Sequence, residues 1–300
     1  MTAPSTALQR WVAAARPRTL PAAAVPVAIG VACVRPHAVN WLNTALCLVV
    51  SLALQIGTNY ANDYSDGVRG TDEVRVGPFR LTASKMVPAR AVRNAAFFSF
   101  AIGGAAGIVL ASRTSWWMLV IGLTAVAAGW FYTGGPKPYG YYGFGELFVL
   151  IYFGFVAVVG TAFAQTASHA GVNGLGVPRA AWPLGYAAGM LACLLLEANN
   201  MRDIDGDQSS GKRTLAARLG RRRAGWLYWL CLSQAFGGFL VTRHLVVALV
   251  LVAAYTPALR LASGPATGRA LLPLLKSSAR AQLVVGAVAT IALTLHFGVI

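Results

Sequence analysis

The chain has 300 residues, is 57% hydrophobic, carries only 11% charged residues and has a formal net charge of +16. A soluble domain carries about 25% charged residues, so the composition excludes an ordinary water-soluble globular protein and indicates a polytopic membrane protein. The excess of Lys and Arg does not indicate a nucleic-acid binder, because these residues sit between apolar stretches, where they suit loops facing anionic headgroups.

The first element predicted is a short interfacial helix. "LQRWVAAARPRTLP" mixes Trp11 with Arg10, Arg16 and Arg18, a pattern suited to lying on a membrane. No cleavable signal peptide is expected, since no short apolar core precedes a cleavage site. Nine membrane spans follow, near 18–34, 41–63, 89–111, 115–132, 144–165, 181–202, 223–242, 244–260 and 280–299. The short linkers "VRPHAV" and "SRTSW" make their neighbours antiparallel hairpins. The expected fold class is all-α: a single membrane domain over 1–300, with nine transmembrane helices.

Charge orients the spans. With the N-terminus and the 2/3, 4/5, 6/7 and 8/9 loops on one side, that side holds 21 of the 25 Lys and Arg. By the positive-inside rule it faces the cytoplasm, and the C-terminus lies outside the plasma membrane. The cysteines Cys33, Cys47, Cys193 and Cys231 fall in or beside apolar spans with no C-x-x-C pair, and read as small buried hydrophobes.

Eight of the nine acidic residues fall in two clusters. "NYANDYSDGVRGTD" (59–72), followed by Glu73, ends the second span. "EANNMRDIDGDQSSGKRTL" (197–215) ends the sixth. Asn59 and Asp63 are four apart, as are Asn199 and Asp203, so each pair shares a helix face; Asp66 and Asp207 continue those faces. The offset between the two pairs is 140 residues, which suggests that spans 1–4 and 5–8 are related halves with a ninth appended.

Clustered carboxylates repel. Two charges 6 Å apart cost roughly 3 kcal/mol at an effective dielectric of about 20. A divalent cation offsets this, and carboxylate and amide oxygens suit Mg²⁺, which commonly bridges a few carboxylates to a substrate phosphate. Neither cluster contains His or Cys, which argues against zinc. Arg69, Arg75, Arg80 and Lys85 follow the first cluster, and Arg202, Lys212 and Arg213 flank the second, so a diphosphate fits between acids and cations. Arg221, Arg222 and Arg223 read instead as membrane-facing anchors. A cation-coupled transporter is the rival class, but transporters place ionisable residues near mid-membrane, and these lie at helix ends.

These motifs resemble the UbiA superfamily of intramembrane prenyltransferases. The likeness rests on "ARPRTLPAA" at 15–23, the two acidic motifs, "YTGGPKPYGYYGFGE" at 132–146, "NNMRDIDGDQSSGKRTLAARLG" at 199–220 and "LLPLLKSSAR" at 271–280. Within the superfamily the chain looks like the branch that uses 1,4-dihydroxy-2-naphthoate. The superfamily's usual first motif is N-D-x-x-D-x-x-x-D. Here Asn62, Asp63 and Asp66 match, but Gly70 takes the last position and Asp72 follows two later, which counts against 4-hydroxybenzoate as acceptor.

The resemblance implies a helical bundle around a central cavity capped by cytoplasmic loops. It implies transfer of a polyprenyl group from an all-trans polyprenyl diphosphate to the naphthoate, releasing diphosphate and CO₂ and giving demethylmenaquinone. Mg²⁺ would be held by Asp63, Asp66, Asp72, Asp203 and Asp207, with Asn59 and Asn199 as neutral oxygen ligands. Arg80, Lys85, Arg202 and Lys212 would bind the diphosphate. The lipid tail requires an apolar tunnel that keeps water from the cation. The Gly- and Pro-rich 132–146 loop would form the acceptor side, with Tyr132, Tyr139 and Tyr141 against the ring or cation and Lys137 meeting the acceptor carboxylate or the diphosphate.

Overall fold

The structure is a computed structural model that describes residues 6–71, 79–170 and 176–298, and these residues contain helices and no strand. Helix α1 (Ala7–Ala14) occupies the expected interfacial segment. Thr6 and Gln9 cap it reciprocally: the Thr6 hydroxyl accepts the Gln9 N–H at 3.2 Å, and the Gln9 amide oxygen accepts the Thr6 N–H at 3.3 Å.

The other α-helices follow in order: α2 (Pro21–Ala32), α3 (Trp41–Val68), α4 (Ala89–Arg113), α5 (Trp117–Phe131), α6 (Gly145–Val149) and α7 (Ala157–Ala170), then α8 (Ala181–Ser209), α9 (Leu215–Val241), α10 (Leu245–Ser263) and α11 (Leu272–Gly298). A π-helical turn, Leu150–Val156, joins α6 to α7 without a break. Among the described residues, seven helical stretches are long and apolar enough to cross a membrane. Pro21–Ala32 and Trp117–Phe131, at the first and fourth expected spans, are apolar but shorter. The expected break near Arg243 is present: Arg243 has φ 62° and α10 begins at Leu245.

The two helices that carry the acidic motifs outrun their expected ends. α3 continues past Asp63 to Val68, and α8 continues past Arg202 to Ser209. Asp66 and Asp207 thus remain on helix, about one turn beyond Asp63 and Asp203. α9 begins earlier than expected, at Leu215. It is kinked at Gly220, whose φ of 73° lies outside the helical region.

Arg221 lies just past that kink and is not a lipid-facing anchor. Its guanidinium donates to the backbone oxygens of Leu261, Ala262, Gly264 and Ala266 at 2.6–3.0 Å. These oxygens lie at and just beyond the C-terminus of α10, where a helix leaves carbonyls without internal partners.

α3 packs along α4, and α8 along α9; α2 touches α3, α7, α8 and α11. The main apolar core surrounds α8 and draws on α2, α7, α9, α10 and α11. Small residues allow the closest approaches, as is usual where lipid supplies no hydrophobic drive between helices. A Cβ on Gly154 would lie 2.6 Å from the Gly185 oxygen, so only glycine lets the π turn rest on α8.

A cavity of about 660 Å³ occupies the space between α2, α3, α4, α5, α7 and α8. Its walls are largely apolar along the helices and polar at the end where α3 and α8 finish. Between α4 and α5 it reaches the outer surface of the bundle. Ile108 and Leu123 both line it and stand 54% and 68% exposed. A Cβ added at Gly104 or Gly122 would meet nothing there.

Candidate functional site

Asp66 is the centre of the polar end. It is buried, and its Oδ2 lies 2.9 Å from Lys212 Nζ and 3.7 Å from an Arg80 guanidinium nitrogen. Its Oδ1 accepts the Tyr141 hydroxyl at 2.7 Å. The Tyr141 ring lies beneath two cations, with Lys212 Nζ 4.8 Å and the Arg69 guanidinium carbon 5.6 Å from its centre. Burial, then the Asp66 charge, push the Tyr141 hydroxyl above the usual phenol range, so it stays a donor. Arg69 also holds the carbonyls of Thr133 and Gly135, which ties the end of α3 to the 132–142 loop.

Asp207 faces the same cavity from α8. Its Oδ2 accepts the hydroxyl of Thr214, the N-cap of α9, at 3.1 Å. Its backbone oxygen accepts the Lys212 N–H at 2.8 Å. The turn after α8, with Gly211 at φ 75°, therefore sends Lys212 back toward Asp66. Asn59, Asn62, Asn199 and Asn200 line the same end. The Asn59 amide donates to the Ala15 oxygen and the Thr19 hydroxyl, Asn62 accepts the Thr133 hydroxyl, and Asn199 donates to the Leu195 oxygen.

The structure separates the expected acids into two kinds. Asp63 is not among the cavity-lining residues and accepts the backbone N–H groups of Leu81 and Thr82, both at 2.9 Å. It anchors the return segment that carries Arg80. Asp203 is buried in a two-pronged pair with the adjacent Arg202, at 2.7 and 2.6 Å. Neither Asp63, Asp203 nor Arg202 lines the cavity. Lys85 and Lys137 are exposed on loops and do not line it either. Asp72 lies outside the described residues.

Tyr132, Tyr139 and Tyr141 all line the cavity. Burial pushes the hydroxyl of Tyr139 above the usual phenol range. Sequence reasoning missed Arg16, Asn200, Phe148 and Tyr152 as cavity residues. Arg16 lay in a quoted motif, and its φ of 54° turns the chain from α1 into the site. Phe148 and Tyr152 carried no signal beyond apolar character.

Among the described residues, no group of three or more His, Cys, Asp or Glu converges on one point. The donor set on the wall is nonetheless of the kind that Mg²⁺ takes: two carboxylates, Asp66 and Asp207, with amide oxygens nearby. A magnesium ion commonly has one or two protein carboxylates and completes its shell with water and substrate phosphate.

The sequence profile of the UbiA prenyltransferase family matches residues 23–269. The chain belongs to this family. It is similar to a curated 1,4-dihydroxy-2-naphthoate octaprenyltransferase of Mycobacterium tuberculosis, 46% identical over 92% of this chain and 93% of the relative. The protein of the same name from Escherichia coli is 33% identical over 72% and 70%. Among solved structures, a UbiA homologue from Aeropyrum pernix superposes with a TM-score of 0.70 at 17% identity, covering 93% of this chain and 97% of that one. A UbiA homologue from Archaeoglobus fulgidus bound to DMAPP and Mg²⁺ gives 0.65 at 15% identity, over 95% and 99%. At that identity the likeness is one of fold. In this chain the acidic ends of α3 and α8 lie at one mouth of the cavity.

Proposed function

We propose that this UbiA-family chain transfers a polyprenyl group from an all-trans polyprenyl diphosphate to 1,4-dihydroxy-2-naphthoate, releasing diphosphate and CO₂ and giving demethylmenaquinol, the reduced form of demethylmenaquinone. The observation that carries the reading is the 46% identity, over nearly the full length of both chains, to a 1,4-dihydroxy-2-naphthoate octaprenyltransferase. The site agrees in its chemistry. One polar mouth holds carboxylates and cations, and an apolar cavity leads away from it.

Magnesium bound at Asp66 and Asp207, with amide oxygens of Asn59 and Asn199 at hand, would draw off charge as the allylic diphosphate ionises. Lys212 and Arg80 lie against Asp66 and hold the leaving group as it departs. Tyr141 fixes the Asp66 carboxylate, and Arg69 fixes the loop that carries Tyr141. Asp63 and Asp203 act one step back: Asp63 holds the Arg80 segment, and Asp203 neutralises Arg202 within the bundle. Tyr132 and Tyr139 offer ring faces to the naphthoate. Lys137, exposed, serves as an entry charge for the acceptor carboxylate, and Lys85 as a surface charge near the mouth.

The same reading makes the chain one domain of nine crossings in the plasma membrane, with the polar mouth and N-terminus cytoplasmic. The charge asymmetry of the loops supports that orientation. The related-halves reading gains support from pairing in space. Asn59 and Asn199 both line the cavity, as do Asp66 and Asp207, while neither Asp63 nor Asp203 does.

Membranes containing the protein, supplied with 1,4-dihydroxy-2-naphthoate, a polyprenyl diphosphate and Mg²⁺, are expected to make demethylmenaquinol, recovered as demethylmenaquinone after oxidation in air. Product with 4-hydroxybenzoate and none with the naphthoate would overturn the acceptor.

A further inference from the structure

The π turn between α6 and α7 changes which side chains share a face. Phe148, Tyr152, Val156 and Gly160 all line the cavity at four-residue spacing, and the adjacent row from Val149 to Thr161 does the same. In an α-helix each four-residue step overshoots a full turn by about 40°. Three steps would carry Gly160 about a third of the way round from Phe148. The wider turn at Leu150–Val156, with its longer i→i+5 bonds, removes that overshoot and keeps the row aligned.

The aligned row continues an aromatic series from the polar mouth. Tyr132 meets Tyr139 edge-on at 5.5 Å, Tyr139 stacks on Phe148 at 4.0 Å, and Phe148 stacks toward Tyr152 at 6.2 Å. Ile151, between Phe148 and Tyr152 in sequence, is 36% exposed on the outside of the bundle. Among the described residues the acids that line the cavity, Asp66 and Asp207, sit at its mouth and not on this wall.

We propose that the π turn sets Phe148 and Tyr152 as a wall along the first isoprene units, shielding the allylic cation from water and presenting aromatic faces to it. This rests on the prenyl-transfer reading. In the productive step the C1–O bond breaks with its electron pair leaving on diphosphate. The ring supplies the pair for the new C–C bond, and the carboxylate leaves as CO₂, its bonding pair restoring the ring. In the side reaction, water oxygen bonds C1 and its proton passes to diphosphate, giving polyprenol.

The test measures polyprenol against prenylated naphthoate in purified enzyme with Mg²⁺. Tyr152→Leu and Phe148→Leu are expected to raise the polyprenol share at least tenfold, while diphosphate release falls less than threefold. Tyr152→Phe is expected to keep the wild-type ratio. Deleting Ile151, which turns the π turn into α-helix, is expected to reproduce the leak. If the deletion fails to fold, the two Leu variants decide. A wild-type ratio in both Leu variants would overturn the proposal, as would a Tyr152→Phe that leaks like Tyr152→Leu. A wild-type enzyme that makes no prenylated naphthoate would instead overturn the function on which it rests.

Discussion

Asp63→Asn and Asp66→Asn change the same chemical group three residues apart, and the structure separates their consequences. Asp63 is 1% exposed and accepts two backbone N–H groups, from Leu81 and Thr82, each at 2.9 Å. Hydrogen bonds to a charged acceptor contribute about 1.5–3 kcal/mol each. An asparagine keeps one neutral oxygen acceptor and turns an NH₂ donor against the other N–H. The expected cost is about 3 kcal/mol, or a drop of about 6 °C in melting temperature at this chain length. Activity falls with it, because the Arg80 segment loses its anchor. Asp66→Asn removes the charge that the buried Lys212 and Arg80 face, so melting should also fall by several degrees, while turnover of the folded enzyme falls at least a hundredfold, about 2.7 kcal/mol of barrier. Thermal unfolding in detergent, with turnover measured on the same preparations, checks both. A wild-type melting curve for Asp63→Asn with turnover abolished would refute the division and return Asp63 to the ligand set.

Chelating divalent cations should abolish turnover, and Mg²⁺ should restore it; activity undiminished by a chelator would exclude a metal at Asp66 and Asp207. Lys85→Gln and Lys137→Gln should each stay within about threefold of wild type in turnover, since both side chains are exposed away from the cavity. By contrast, Lys212→Gln should raise KM for the prenyl diphosphate at least tenfold, because its ammonium stands 2.9 Å from Asp66. Tyr141→Phe loses the bond to Asp66 and should lower turnover about tenfold. The Tyr141 ionisation is pushed upward, so the protonated donor is favoured, and wild type and variant should keep parallel pH profiles up to about pH 9.5. Arg221→Met should lower melting without changing the product ratio, since its contacts lie at the end of α10.

Seven helices of membrane-crossing length, the two acidic clusters and the helix at Ala7–Ala14 could be read from apolar run length, charge placement and spacing. The separation of Asp63 from Asp66 could not. It depends on where residues 79–82 return against α3, and nothing in the local pattern marks a carboxylate that caps a distant loop. Asp203 is a similar case: its neighbour Arg202 folds back on it, although on an isolated helix adjacent residues point apart. Arg221 sat in a run of three arginines that composition alone assigns to lipid. Only the kink at Gly220 and the nearby end of α10 give it four carbonyls. The π turn has no compositional marker, and an apolar stretch such as "LFVLIYFGFVAVVG" fits an α-helix equally well.

The opening between α4 and α5 bears on how substrate amount should be expressed. Ile108 and Leu123 face both the cavity and the outside of the bundle, so a long tail can remain in lipid while its head reacts. Extracting a tail into water would cost about 0.8 kcal/mol for each CH₂, and this geometry avoids that step. The prenyl donor then arrives by diffusion in two dimensions. Its effective concentration is a mole fraction of the bilayer, so adding inert lipid at constant bulk concentration should slow the enzyme as surely as withholding substrate.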